Sequence, residues 1–161
     1  MAWFLQTPDG GSPKLLANII GECSPAIRGG AAFAFASAAG VKMLFAEEPF
    51  QKFLATSEFT MVIGLDAITD TKAIVALEAI KKKYPSFKPK LFLHDTAGSC
   101  FHPKTIWLRT SEGGVTITGS GNLTTGGLQS NWEALTIEKL GLAEIEKLEE
   151  IWAEWIAAHN G

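Results

Sequence analysis

Residues 102–133 read HPKTIWLRTSEGGVTITGSGNLTTGGLQSNWE. Lys104-Thr105-Ile106-Trp107-Leu108 has the composition of a strand, and Gly114 to Thr118 alternates β-branched residues as a second strand should. That second strand delivers the chain into a Gly119-Ser120-Gly121-Asn122 turn, and Trp132 to Ile137 is predicted as a final strand. His102 and Lys104 stand two residues apart, so their side chains leave an extended segment on the same face. One anion can touch both.

Upstream, strand-like and helical patterns alternate. Ser12-Pro13 reads as a helix cap followed by proline in the first turn, with Leu15, Leu16, Ile19 and Ile20 on one helical face. Ala31 to Ala36 is a small apolar run that suits a buried strand, and Thr60 to Leu65 and Leu91-Phe92-Leu93 read the same way. Between the first two, Ala38 to Ala55 is predicted as a helix in two pieces divided near Pro49, because proline disfavours helical backbone at the residue before it. From Asp70, a stripe of Ile74, Leu77 and Ile80 ends at Tyr84-Pro85. Leu142, Ile145, Leu148, Trp152, Trp155 and Ile156 form the apolar face of a closing helix whose glutamates lie mostly outside it. The pattern predicts an α/β fold: a mixed, mostly parallel sheet flanked by helices on both faces.

At 161 residues and 47% hydrophobic content, the chain suits one core and one domain spanning residues 1–161. Gly30 to Gly40 and Phe59 to Leu65 are too short to span a bilayer, and Met1-Ala2-Trp3-Phe4 lacks a basic segment before an apolar run. A soluble, cytoplasmic protein with no membrane partner is the expectation. Cys23 and Cys100 form no CxxC pair, so reduced thiols are expected. The net charge of −3 counts against nucleic-acid binding through the overall field, and any such role rests on local charge.

His102-Pro103-Lys104, then Gly119-Ser120-Gly121-Asn122, then Asn131-Trp132-Glu133 together resemble the phospholipase D superfamily, whose pattern is His-x-Lys, Gly-Ser-x-Asn and Asn-x-Glu. The likeness is greatest to the small nucleases and metal-independent restriction endonucleases that carry one motif copy per chain. Where the superfamily usually has Asp, after four intervening residues from Lys104, this chain has Arg109. The restriction-endonuclease branch lacks that Asp too.

The resemblance implies a phosphodiesterase, in first place a DNA endonuclease that uses no metal or other cofactor. His102 would attack phosphorus to form a phosphohistidine that water resolves. Lys104 would hold a non-bridging oxygen, Asn122 and the Ser120 hydroxyl would donate to the same group, and Gly119 and Gly121 would let backbone amides approach. Glu133 is the family's carboxylate for orienting the imidazole. A second imidazole must protonate the leaving oxygen, and one motif copy per chain then requires a homodimer with one His102 from each protomer. His94 is an internal alternative with no motif around it.

Each feature also has a plainer reading. His-x-Lys arises by accident, Gly-Ser-Gly-Asn is an ordinary turn sequence, and Glu133 on a strand suits a surface ion pair. Cys100 with His94 and Asp95 fits no common zinc spacing. Lys81-Lys82-Lys83, Lys88 and Lys90, with Tyr84 and Phe87 between them, can steer a polyanion, although cations at a helix C-terminus more simply complement its dipole. Trp152 and Trp155 suit core or dimer contacts. A different class of function, a catalytically weak nucleic-acid-binding or assembly domain of a restriction or defence protein, is kept open by Arg109 and the acidic balance. Lipid hydrolysis ranks third.

Overall fold

The computed structural model describes residues 1–65, 69–94 and 96–159. Its elements are β1 (Ala2–Gln6), α1 (Leu15–Cys23), β2 (Arg28–Phe33), α2 (Ala38–Ala46), α3 (Glu48–Thr56), β3 (Glu58–Gly64), α4 (Thr71–Lys83), β4 (Phe87–Phe92), β5 (Lys104–Arg109), β6 (Gly114–Gly119), β7 (Glu133–Leu140) and α5 (Leu142–Ala158). A π-helical turn over Gly126–Ser130 precedes β7. The strands form one seven-stranded sheet in the order β1-β7-β6-β5-β2-β3-β4.

The sheet is mixed and has helices on both faces, as expected, but the balance of directions is corrected. Among the strands of the described residues, β2–β3 and β3–β4 pair in parallel, whereas β1–β7, β7–β6, β6–β5 and β5–β2 are antiparallel. The physical reason lies in the connections. Parallel neighbours need a crossover, which α2 and α3 supply before β3 and α4 supplies before β4. The β5–β6 connection is a short turn in which the Thr110 N–H donates to the Gly113 carbonyl, and a turn of that kind reverses the chain.

Strand alternation divides the side chains between two layers. Ala31, Phe33, Phe59, Met61, Ile63, Ile106, Leu108, Val115 and Ile117 face the main core with Leu15, Ile19, Leu44, Phe50, Leu54 and Leu77 from α1–α4. Ala32 and Val62 point the other way and meet Phe92, Phe101, Trp152, Trp155 and Ile156 under α5. Gly30 lies on this second face, and a Cβ there would stand 2.6 Å from the Trp107 indole nitrogen and 2.9 Å from the Trp152 ring, so only glycine lets Trp107 and Trp152 pack there. No helix among the described residues is long and apolar enough to cross a membrane.

Several boundaries move. The break between α2 and α3 falls at Glu47, with Pro49 inside the first turn of α3, and Asp70 caps α4 through its side chain. At α1, however, Ser12 is not the cap: its hydroxyl accepts from the Thr7 N–H at 2.7 Å, and the helix starts at Leu15. The Leu15 N–H instead donates to Gln6 Oε1 at 2.8 Å, across from β1, a strand that the sequence pattern did not reveal. Phe87 is fully buried in the main core and cannot stack on a base, while Lys81, Lys82 and Lys83 occupy the last turn of α4.

Candidate active site

Every residue of the three-part motif arrives at one end of the sheet. Lys104 opens β5, Ser120 follows the last residue of β6, and Glu133 opens β7. The pairing Phe33↔Lys104 shows that this is the end where β2 and β3 finish, the usual place for a site in an α/β sheet. His102 is exposed, just before β5.

Lys104 is only 9% exposed, an unusual burial for a lysine, and its chain runs on the main-core face with Ile106 and Leu108. Its ammonium meets the His102 ring, 3.0 Å from Nδ1 and 3.1 Å from Nε2, and also donates to the His102 carbonyl at 3.3 Å. Desolvation lowers the Lys104 pKa, while the Glu133 carboxylate and the Cys100 thiol pull it upward.

Glu133 is fixed on both oxygens. Oε2 accepts from the Ser120 hydroxyl and Oε1 from Asn131 Nδ2 at 3.2 Å. Ser120 in turn accepts from the Ala134 N–H at 3.0 Å. A serine has one proton, and here it points at Glu133, so Ser120 sets the carboxylate. Within one chain Glu133 acts on Lys104 through its field and is bonded to Ser120 and Asn131, not to His102.

Asn122 belongs to a loop clamped from several sides. Its Oδ1 accepts from the Phe35 N–H at 3.3 Å just beyond β2, which leaves the Nδ2 protons as the donors it can offer. The next residue, Leu123, bridges to Ala36 and accepts from the Ser37 N–H at 3.0 Å. Gly119 and Gly121 have a packing reason to be glycine. A Cβ would stand 2.4 Å from the Ala134 carbonyl at the first and 2.7 Å from the Gly127 carbonyl at the second. Gln6, fully buried, donates to the carbonyls of Gly127 and Asn131 at 3.2 Å each, tying the π-helical turn to β1. Sequence reasoning missed this glutamine; its signal was an apolar run, Ala2 to Leu5, ending in a residue that needs a partner when buried.

The structure takes Arg109 out of the site. It closes the opposite end of β5, on the α5 face, where its guanidinium pairs with Glu149 and, at 3.2 Å, with Glu146. The hydrogen bond it donates to Glu149 is the largest cause of its raised pKa. His94 lies beside Phe92, with ring centroids 6.0 Å apart and planes tilted by 44°. Among the described residues no group of three or more His, Cys, Asp and Glu side chains is placed to hold a metal, and Asp95 lies outside those residues.

No family model and no curated protein sequence matches the chain. Solved structures do. Nuc of Salmonella typhimurium, a phospholipase D family member, superposes with a TM-score of 0.60 over 95% of this chain and 92% of its own at 19% identity. NucT from Helicobacter pylori gives 0.61 over 87% and 86% at 16% identity. Yeast tyrosyl-DNA phosphodiesterase gives 0.53 over 86% of this chain and 32% of that longer one, also at 16%. The chain has the fold of the phospholipase D superfamily.

Proposed function

We propose that this protein is a phosphodiesterase, a metal-independent nuclease acting on DNA from a site shared by two copies of the chain. The observation that carries the reading is the buried Lys104 ammonium held against the His102 imidazole. A lysine kept out of water at an exposed histidine is suited to an anion that arrives beside it. The His102 lone pair forms a bond to phosphorus as the bond to the leaving oxygen breaks. Lys104 and the Asn122 amide hold the charge on the non-bridging oxygens. The leaving oxygen takes a proton from the imidazolium of a second copy's His102. Water then attacks the phosphohistidine and gives its proton to that second imidazole, releasing the phosphomonoester and restoring both histidines.

The need for a second imidazole supports a dimer, and the α5 face offers a surface for it. An open apolar groove there is lined by Thr105, Trp107, Leu148 and the exposed Ile151, and it reaches Pro103 in the His102 segment. DNA as the substrate is supported by the shared fold with yeast tyrosyl-DNA phosphodiesterase and by the likeness of the motif.

Turnover of a bis-aryl phosphodiester and nicking of plasmid DNA are expected in excess chelator, with a loss of about 10³-fold or more in His102→Ala. Acid quenching should trap phosphate on His102. Full activity in a species that sediments as a monomer, or activity retained in His102→Ala, overturns the reading.

A further inference from the structure

Beside the His102 segment lies an aromatic cleft that the chemistry above does not use. On the edge strand β4, Lys90 and Phe92 turn toward α5, as their register with Val62 and Gly64 requires. Trp155 lies across from Phe92 with centroids 6.2 Å apart and planes 22° from parallel, and the exposed His159 stands 5.6 Å from each ring. Phe101, the residue before His102, closes the inner side: it packs 4.5 Å from Phe92 and stacks on Trp155 at 6.0 Å and 14°. The space left between β4 and the end of α5 is an open cleft of about 220 Å³ lined by Lys90, Phe92, Trp155, Ile156 and His159 above Val62.

If these rings served only to hold α5 to the sheet, they would be expected to fill this space. Instead Trp155 and Phe92 keep part of their surface open, with an imidazole and an ammonium at the rim. Flat apolar walls beside a cation suit an unpaired nucleobase and its phosphate, because every base has a face to stack and every linkage carries a negative charge. A base inside a duplex has both faces covered and cannot enter. Phe101 links this cleft directly to His102.

We propose that the cleft receives the base of a nucleotide flanking the scissile phosphate and makes the protein selective for single-stranded nucleic acid; this rests on His102 and Lys104 being the phosphate site. Fluorescence anisotropy on His102→Ala, which holds uncut substrate, tests it with a labelled oligothymidylate and a duplex of equal length. The single strand binds more tightly, and adding Lys90→Gln and His159→Ala weakens it by about tenfold. Lys147→Gln, on the outer face of α5, leaves binding as it was. Equal losses for the duplex and the single strand, or no loss, overturn the proposal, as does a parallel loss of small-ester turnover when both substitutions are made with His102 intact. Selective binding without any phosphodiester turnover by the unsubstituted protein supports the cleft and removes the catalytic reading; turnover indifferent to strandedness does the reverse.

Discussion

The Lys104 ammonium stands over the face of the His102 imidazole, nearly equidistant from Nδ1 and Nε2 at 3.0 and 3.1 Å. An in-plane approach at those distances would collide with the carbon between the two nitrogens, so the contact is made with the ring face. Lysine and histidine thus stand in contact, and under the proposed reading an incoming phosphate oxygen would take over the ammonium.

Removing that ammonium separates activity from stability. Lys104→Met is expected to lower turnover by about 10³-fold while raising the midpoint of urea unfolding at pH 7, since a desolvated charge opposes folding. Burial holds the Lys104 pKa below the ordinary lysine value of 10.5, so the folded chain gives up this proton before the unfolded chain does. Stability of the unsubstituted protein therefore rises with pH between those two values, and the advantage of the variant fades as pH nears 10.5. A variant less stable at pH 7 contradicts this account.

Placing at position 109 the Asp that the phospholipase D pattern usually carries is expected to harm the fold and leave the chemistry no better. Arg109→Asp sets a third carboxylate against Glu146 and Glu149. Its melting temperature falls by several degrees, and turnover per folded molecule does not rise. A gain in turnover would show that the far end of β5 communicates with His102.

Gly40 couples the second helix to the site. A Cβ there would stand 2.2 Å from the Leu123 carbonyl and 2.5 Å from Thr124 Cα, both backbone, so neither can swing aside. Gly40→Ala costs about 3 kcal/mol and shifts the neighbouring Asn122, lowering turnover further than the lost stability explains. Gly21→Ala, with open space around it in α1, stabilises by about 1 kcal/mol. Equal denaturation midpoints for the two variants would refute the contrast.

The two thiols differ in reactivity. Cys23 is fully buried, with its pKa pushed up to about 11 by desolvation, whereas Cys100 is exposed. A thiol reagent at pH 8 is expected to modify one cysteine quickly and the second only in denaturant. Rapid reaction of both in the folded protein would show that α1 opens.

Much of the candidate site was legible because its residues are local in the chain. His102 and Lys104 share a segment, and the Gly119–Asn122 and Asn131–Glu133 segments are each continuous, so motif and strand pattern together identify them. Contacts made across the chain were not legible. Gln6 satisfies α1 and the π-helical turn from a strand whose alternation is short and mostly exposed, so β1 left little hydrophobic signal. Ser12 looks like a cap, but Thr7 claims its hydroxyl. Phe87 sits among lysines in sequence yet faces the core, because strand β4 alternates.

By itself, then, the chain determined the alternation of strands and helices and the residue types of the candidate site, since hydrophobic period and motif spacing are properties of neighbours. Only the tertiary structure decided that Arg109 lies away from that site, that Ser120 donates to Glu133, and that Phe101, the residue before His102, packs on Phe92 and Trp155, two of the residues lining a cleft under α5. Those relationships depend on which strand ends meet and which face α5 covers, and the free energy that sets them comes from burial shared among distant segments.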